Sequence, residues 1–190
     1  MGDFKMGSKT VMSQSGTSNP TWGANAPSGC IVNVQQAVKL GTQSVTGTTY
    51  VLLTGLTIDI TPKSLSSKFL IEYHVNGNML DDANHGYLQL YKDGSAITGA
   101  TADSSGSDAL GSRTGATSVI NTGDALDGSQ LTYSMKYLDS PSTTSELTYA
   151  VYCKSSTSAA VYINRSGRDN NAATFDGRSI STLTVMEVAG

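Results

Sequence analysis

The chain has 190 residues, of which 38% are hydrophobic and only 14% charged, with a formal net charge of −3. That length suits one domain of ordinary size plus a short extension. The charge balance argues against nucleic-acid binding, which needs a clustered positive surface to meet phosphates; the nearest grouping of cations is Arg165, Arg168 and Arg178.

Residues 1–28 read as an extended N-terminal arm. They are rich in Ser, Gly, Asn and Pro and show no apolar period. Asn19-Pro20 and Ala26-Pro27 bias the preceding residues towards extended backbone. The opening MGDFKMGSKTVMSQSG lacks the apolar stretch of a signal peptide, and no run approaches a membrane span. The expectation is therefore no membrane partner, and either a cytosolic chain or one released by another route such as lysis.

From Cys30 onward, apolar and polar residues alternate, and residues 29–190 read as one head domain. Val32, Val34 and Val38 share a parity; so do Leu56, Ile58 and Ile60, then Phe69, Ile71, Tyr73 and Val75. A period of two gives strands with one face on a core and one towards water. Further strands are predicted at 87–91, 95–97, 131–138, 147–153, 160–163 and 183–188, with short additions at 50–53 and 117–122. Lys92-Asp93-Gly94 predicts a tight hairpin, because Asp and Gly tolerate positive φ. Residues 98–130 are polar and Gly-rich and read as a long, loose loop at the outer end of the head. Roughly nine short strands with frequent turns predict an all-β fold, an antiparallel β-sandwich of jelly-roll type.

The chemistry-bearing residues are sparse. Cys30 and Cys153 do not make a disulfide framework and read as free, largely buried thiols, with pairing between strands as the open alternative. His74 falls on a solvent-facing strand parity and His85 in a polar turn, so no nucleophile–base pair is indicated. Asp81, Asp82, Asp93, Asp103, Asp108, Asp124 and Asp127 sit among turn residues, where Asp bonds nearby backbone. Segments 81–84 and 103–108 offer oxygens that could suit calcium, but without EF-hand spacing. The sequon at Asn164 reads as chance. No metal, cofactor or catalytic residue is assigned, and the expectation is a non-enzymatic protein. Among nine tyrosines, Tyr73, Tyr133, Tyr137 and Tyr149 share parity with core positions, whereas Tyr152 and Tyr162 take the opposite parity and are interface candidates.

Three stretches carry a resemblance. SGTSNPTWGANAP resembles the junction before the head of phage tail fibres. LTYSMKYLDSPSTTSELTYAVY and the ending AVYINRSGRD with STLTVMEVAG resemble fibre-like proteins of marine phages. The resemblance implies a β-sandwich head of the complement and tumour-necrosis-factor kind, packed as a homotrimer in a virion. Residues 1–28 would then join it to other virion proteins, with Asn19, Pro20 and Trp22 as attachment residues, and the head would meet a host surface glycan or protein. A capsid decoration protein and a free carbohydrate-binding module are the alternatives.

Overall fold

The computed structural model describes residues 2–15, 21–22, 25–79, 84–102, 110–122, 128–171 and 176–190, with the side chains of 21 and 22 excepted. The N-terminal segment carries β1 (Gly2–Met6), β2 (Lys9–Gln14) and β3 (Thr21–Trp22). Residues 29–190 carry β4 (Ile31–Lys39), β5 (Gln43–Val45), β6 (Val51–Ile60), β7 (Lys68–Met79), β8 (Gly86–Lys92) and β9 (Ser95–Ala96). A single 3-10 turn at Thr98–Ala100 precedes β10 (Ser118–Ile120), β11 (Leu131–Asp139), β12 (Leu147–Ser155), β13 (Val161–Ile163) and β14 (Ser181–Val188). The expected all-β antiparallel sandwich is what forms.

The pairing is nested. β8 pairs with β10, β7 with β11, β6 with β12 and β4 with β14, all antiparallel. The chain is thus one long hairpin, doubled back in the region of residues 93–117 and rolled so that successive pairs fall in alternate sheets. This is the jelly-roll arrangement of two facing sheets. One sheet has the order β10-β8-β12-β6, with β9 added beside β8; the other has β4-β14-β7-β13-β5, with β11 on the far edge of β7.

Alternation fills the space between them. Phe69, Ile71, Tyr73 and Val75 of β7, and Leu183 and Val185 of β14, face Leu88 and Leu90 of β8 and Tyr149, Val151 and Cys153 of β12, all fully buried. Phe69 and Tyr149 meet across the sheets, with ring centroids 5.7 Å apart. Burial pushes the Cys153 thiol up to about 12, and Cys153 and the half-buried Cys30 are both free. Several polar groups in and around this interior are paired, as burial favours. Tyr73 shares a hydrogen bond with Ser118, and Asp139 accepts from both Tyr149 Oη (2.7 Å) and Lys92 Nζ (2.8 Å). The buried Asn164 donates to the carbonyls of Lys39 and Gly41 and accepts from Ser181, tying the ends of β13, β4 and β14 together. An asparagine so enclosed is not a glycan acceptor.

The Asp93-Gly94 hairpin forms as expected, with φ of 51° and 75°. Gly86 is needed for a different reason: a Cβ there would lie 2.8 Å from Val161 and 3.1 Å from Ile120.

Four expectations need correction or refinement. Residues 1–28 are not wholly extended: Gly7, at φ 62°, turns β1 into β2, and β3 adds a third strand. The Gly7-Ser8 pair was a readable hairpin signal. The segment's described residues contribute no strand to either of the two larger sheets. Second, Val34 and Val38 point outward, being 56% and 42% exposed. β4 is an edge strand whose inward side is covered by β6, where Lys39 is buried and donates to Thr54 O at 2.9 Å. Third, residues 98–130 are not one loose loop. β10 extends the sheet beside β8, Ile120 is fully buried, and Thr122 Oγ1 both accepts from Met79 N and donates to Met79 O. The interior segments 103–109 and 123–127 lie outside the described residues. Fourth, the nine predicted strands all form, but the described residues hold fourteen in all.

Ile120 therefore tests the closure of the roll. Ile120→Ala is expected to cost about 2–5 kcal/mol in chemical denaturation, as buried Ile truncations do. A loss below about 0.5 kcal/mol, the surface range, would return residues 117–122 to the loop.

Candidate binding surfaces

Each strand of the sandwich turns one face inward, so each sheet presents a second face outward. The two outward faces differ in chemistry.

On the six-stranded sheet, register places Val34 beside Met186, Met186 beside Leu70, and Leu70 beside Leu138. Four strands thus contribute one apolar row, in which Val34 and Leu138 are 56% and 49% exposed at its ends. Ile31, 50% exposed, lies opposite Val188 one step further along. The row two residues away is polar: Gln36 donates to Thr184, and Lys136 pairs with Glu72 at 3.1 Å. His74, beside Glu72, faces solvent as its parity indicated. β11 ends this sheet, and among the described residues its outer edge has no strand partner. Edge strands of this length and regularity are sites where another chain can pair.

On the five-stranded sheet the outward residues are aromatic. Leu88 and Leu90 of β8 point inward, so Tyr87, Gln89 and Tyr91 point out; in β12 the outward residues are Thr148, Ala150, Tyr152 and Lys154. The rings of Tyr91 and Tyr152 stack with centroids 3.9 Å apart and planes at 21°. Tyr50, preceding β6, lies 6.1 Å from Tyr91 and tilted to it, its hydroxyl directed to Gly115 O. Lys154 Nζ sits 4.8 Å from the Tyr50 ring centre and 5.5 Å from that of Tyr87. His85 stacks on Tyr87 with ring centroids 6.3 Å apart. Burial, and then Tyr152, raise Tyr91 above the ordinary tyrosine range. Burial also raises Tyr50.

The residues singled out from sequence fall in different places. Tyr152 lies at the centre of this aromatic face. Tyr162 is on β13 in the other sheet, half-buried, with the Arg165 guanidinium 4.1 Å from its ring centre. The fold does not bring the two together. Trp22 pairs through its backbone with Met12 in the N-terminal sheet. Asn19 and Pro20 lie outside the described residues, as do the acidic residues Asp81, Asp82, Asp103, Asp108, Asp124 and Asp127. The three arginines 165, 168 and 178 are paired with Asp169 and Asp176 at 2.7–3.1 Å, so they form no open basic patch. Hydrogen bonds from Ser166, then Arg168, hold Asp176 below the usual carboxylate range. Sequence parity found Tyr152 but not its partners. Tyr50, Tyr87, Tyr91 and Lys154 converge only through the β8–β12–β6 register, although their outward parity could have been read.

No protein-family model matches the chain, and no curated protein matches it.

The stack makes a direct prediction. Tyr152→Ala removes one ring covering Tyr91 and the charge repulsion between the two phenolates. The Tyr91 titration midpoint should fall towards the ordinary value near 10. Absorbance titration near 295 nm, compared between the two proteins, checks this; an unchanged midpoint would mean the rings do not stack in solution.

Proposed function

We propose that the chain is a non-enzymatic structural and binding head on the surface of a bacteriophage particle. It assembles as a homotrimer through the outward face of the six-stranded sheet and is joined to the particle by residues 1–28. The observation that carries the assembly is the in-register row Val34–Met186–Leu70–Leu138. An alternating strand normally turns its valines to the core, yet β4 turns Val34 and Val38 away from it. Apolar side chains held outward in register, with the free edge of β11 beside them, favour burial against further copies. Subunit interfaces of this kind are apolar at their centre and depleted of charge.

The phage setting is supported by the likeness of SGTSNPTWGANAP to the junction before a tail-fibre head and of the closing strands to fibre-like proteins. The separate N-terminal sheet, which among the described residues shares no ladder with the other two sheets, is suited to attachment.

Two measurements test this reading. Sedimentation of the full chain should give a trimer at micromolar concentration. Leu138→Asp, which places a carboxylate at an exposed position in the row, should give a folded monomer. A wild-type monomer would remove the assembly claim. Images of phage particles labelled with antibody against the chain should show label on tail or capsid; no label on intact particles would remove the virion claim.

A further inference from the structure

The aromatic face of the five-stranded sheet carries polar groups that the fold leaves unused. Gln89 stands between Tyr87 and Tyr91 on β8 and directly opposite Tyr152. It is only 8% exposed, yet its side-chain amide has no hydrogen-bond partner among the described residues. The amide nitrogen and oxygen are nonetheless open to solvent, where a ligand can meet them. Lys154 is likewise without a carboxylate among the described residues, its ammonium resting on the Tyr50 and Tyr87 rings. The outward carboxylate of the neighbouring strand, Asp59, is engaged with the Thr148 hydroxyl at 2.6 Å, towards the other end of β12. The hydroxyls of Tyr87, Tyr91 and Tyr152 make no hydrogen bond among the described residues.

These groups define a ligand. The outer face of a tyrosine ring in the stack offers a flat apolar surface with a polar margin. Gln89 supplies both a donor and an acceptor beside it, and Lys154 supplies one cation. A pyranose ring matches the set: its C–H face lies on the rings and its hydroxyls pair with the amide and phenols. A carboxylate on the sugar meets Lys154. Single-stranded nucleic acid also stacks on aromatic residues, but it is held by a positively charged groove, whereas this face carries one lysine on a chain of net charge −3. A second copy of the chain is the poorer fit, because the apolar row lies on the opposite sheet and would leave Gln89 and Lys154 unmatched.

We propose that Tyr91, Tyr152, Gln89 and Lys154, flanked by Tyr50 and Tyr87, form a binding site for acidic glycans, the sugar stacked on the tyrosines and its carboxylate held by Lys154. The site goes beyond the assembly reading and does not depend on it, since the free chain should bind sugar.

Calorimetric titration of the full chain tests it. The acidic probes are trigalacturonate, an alginate trimer and 3′-sialyllactose, which separate a uronate from a sialate source; the neutral control is galactotriose. At least one acidic probe should bind at millimolar concentration or below, more weakly as salt rises, and roughly tenfold more tightly than the control. That factor is the typical worth of a charge-assisted hydrogen bond. Lys154→Met keeps the stem and should bring the acidic sugar to the level of the control. Gln89→Ala should weaken acidic and neutral sugars alike, with the melting temperature retained. The proposal is overturned if no acidic probe gives heat at millimolar concentration, or if Lys154→Met binds like the wild type. It is also overturned if either substitution changes the sedimentation of the chain, because the face would then be a contact between copies. Loss of sugar binding with an intact trimer would sink this site alone, and a monomer that binds sugar would sink the assembly alone.

Discussion

A strand offers only two faces, and in this molecule each principal strand of the roll commits one of them to a single shared interior. The inward residues of β7 and β12 show how completely: Phe69, Ile71, Tyr73, Val75, Tyr149, Val151 and Cys153 are all sealed from solvent. Burial of apolar area is the main favourable term in folding. Once it is placed between the sheets, nothing in the core dictates what the opposite parity must be. The outward positions are therefore where chemistry can differ without cost to the fold. They do differ, being apolar in a row across one sheet and aromatic with a lysine and an amide on the other.

The nested pairing explains how distant segments build those faces. Val34 and Met186 are neighbours because the first and last strands of the roll pair, and Leu70 and Leu138 because the pair β7–β11 lies in the same sheet. Tyr91 reaches Tyr152 because β8 and β12, members of different nested pairs, are adjacent in the other sheet. Neither surface is local in sequence. Both rest on the registers of the roll, which are pinned by the buried faces, since a slip of one residue would turn each strand's core set outward.

This also sets what could be read from the chain alone. Alternation in 56–60, 69–75 and 147–153 gave the core strands and their inward sets, because in those strands the buried face is the apolar one. The same reading failed at β4, an edge strand with apolar residues on its outward side and Lys39 buried on the inward side. Period reports which residues share a face; it does not report which face is covered. Residues 117–122 were legible only as a doubtful strand, because four apolar or β-branched residues in a Gly-rich stretch carry little periodic signal. Their burial comes from β8 and from Met79, far away in sequence. The N-terminal hairpin was missed because its side chains are mostly exposed and so leave no core pattern, although its Gly7-Ser8 turn was in view. Of the aromatic face, Tyr152 was visible by parity, while its convergence with Tyr50, Tyr87 and Lys154 required knowing the strand order.

The claim that the two outward faces have separate roles is tested most directly by oxidative footprinting of the full chain, read residue by residue by mass spectrometry at low and high protein concentration. As copies associate, Leu70, Leu138 and Met186 should become protected, while Tyr87, Tyr91 and Tyr152 keep their labelling. Protection of the tyrosines with continued labelling of Met186 and Leu138 would contradict the account, because the face assigned to ligand would then be the one that joins the copies.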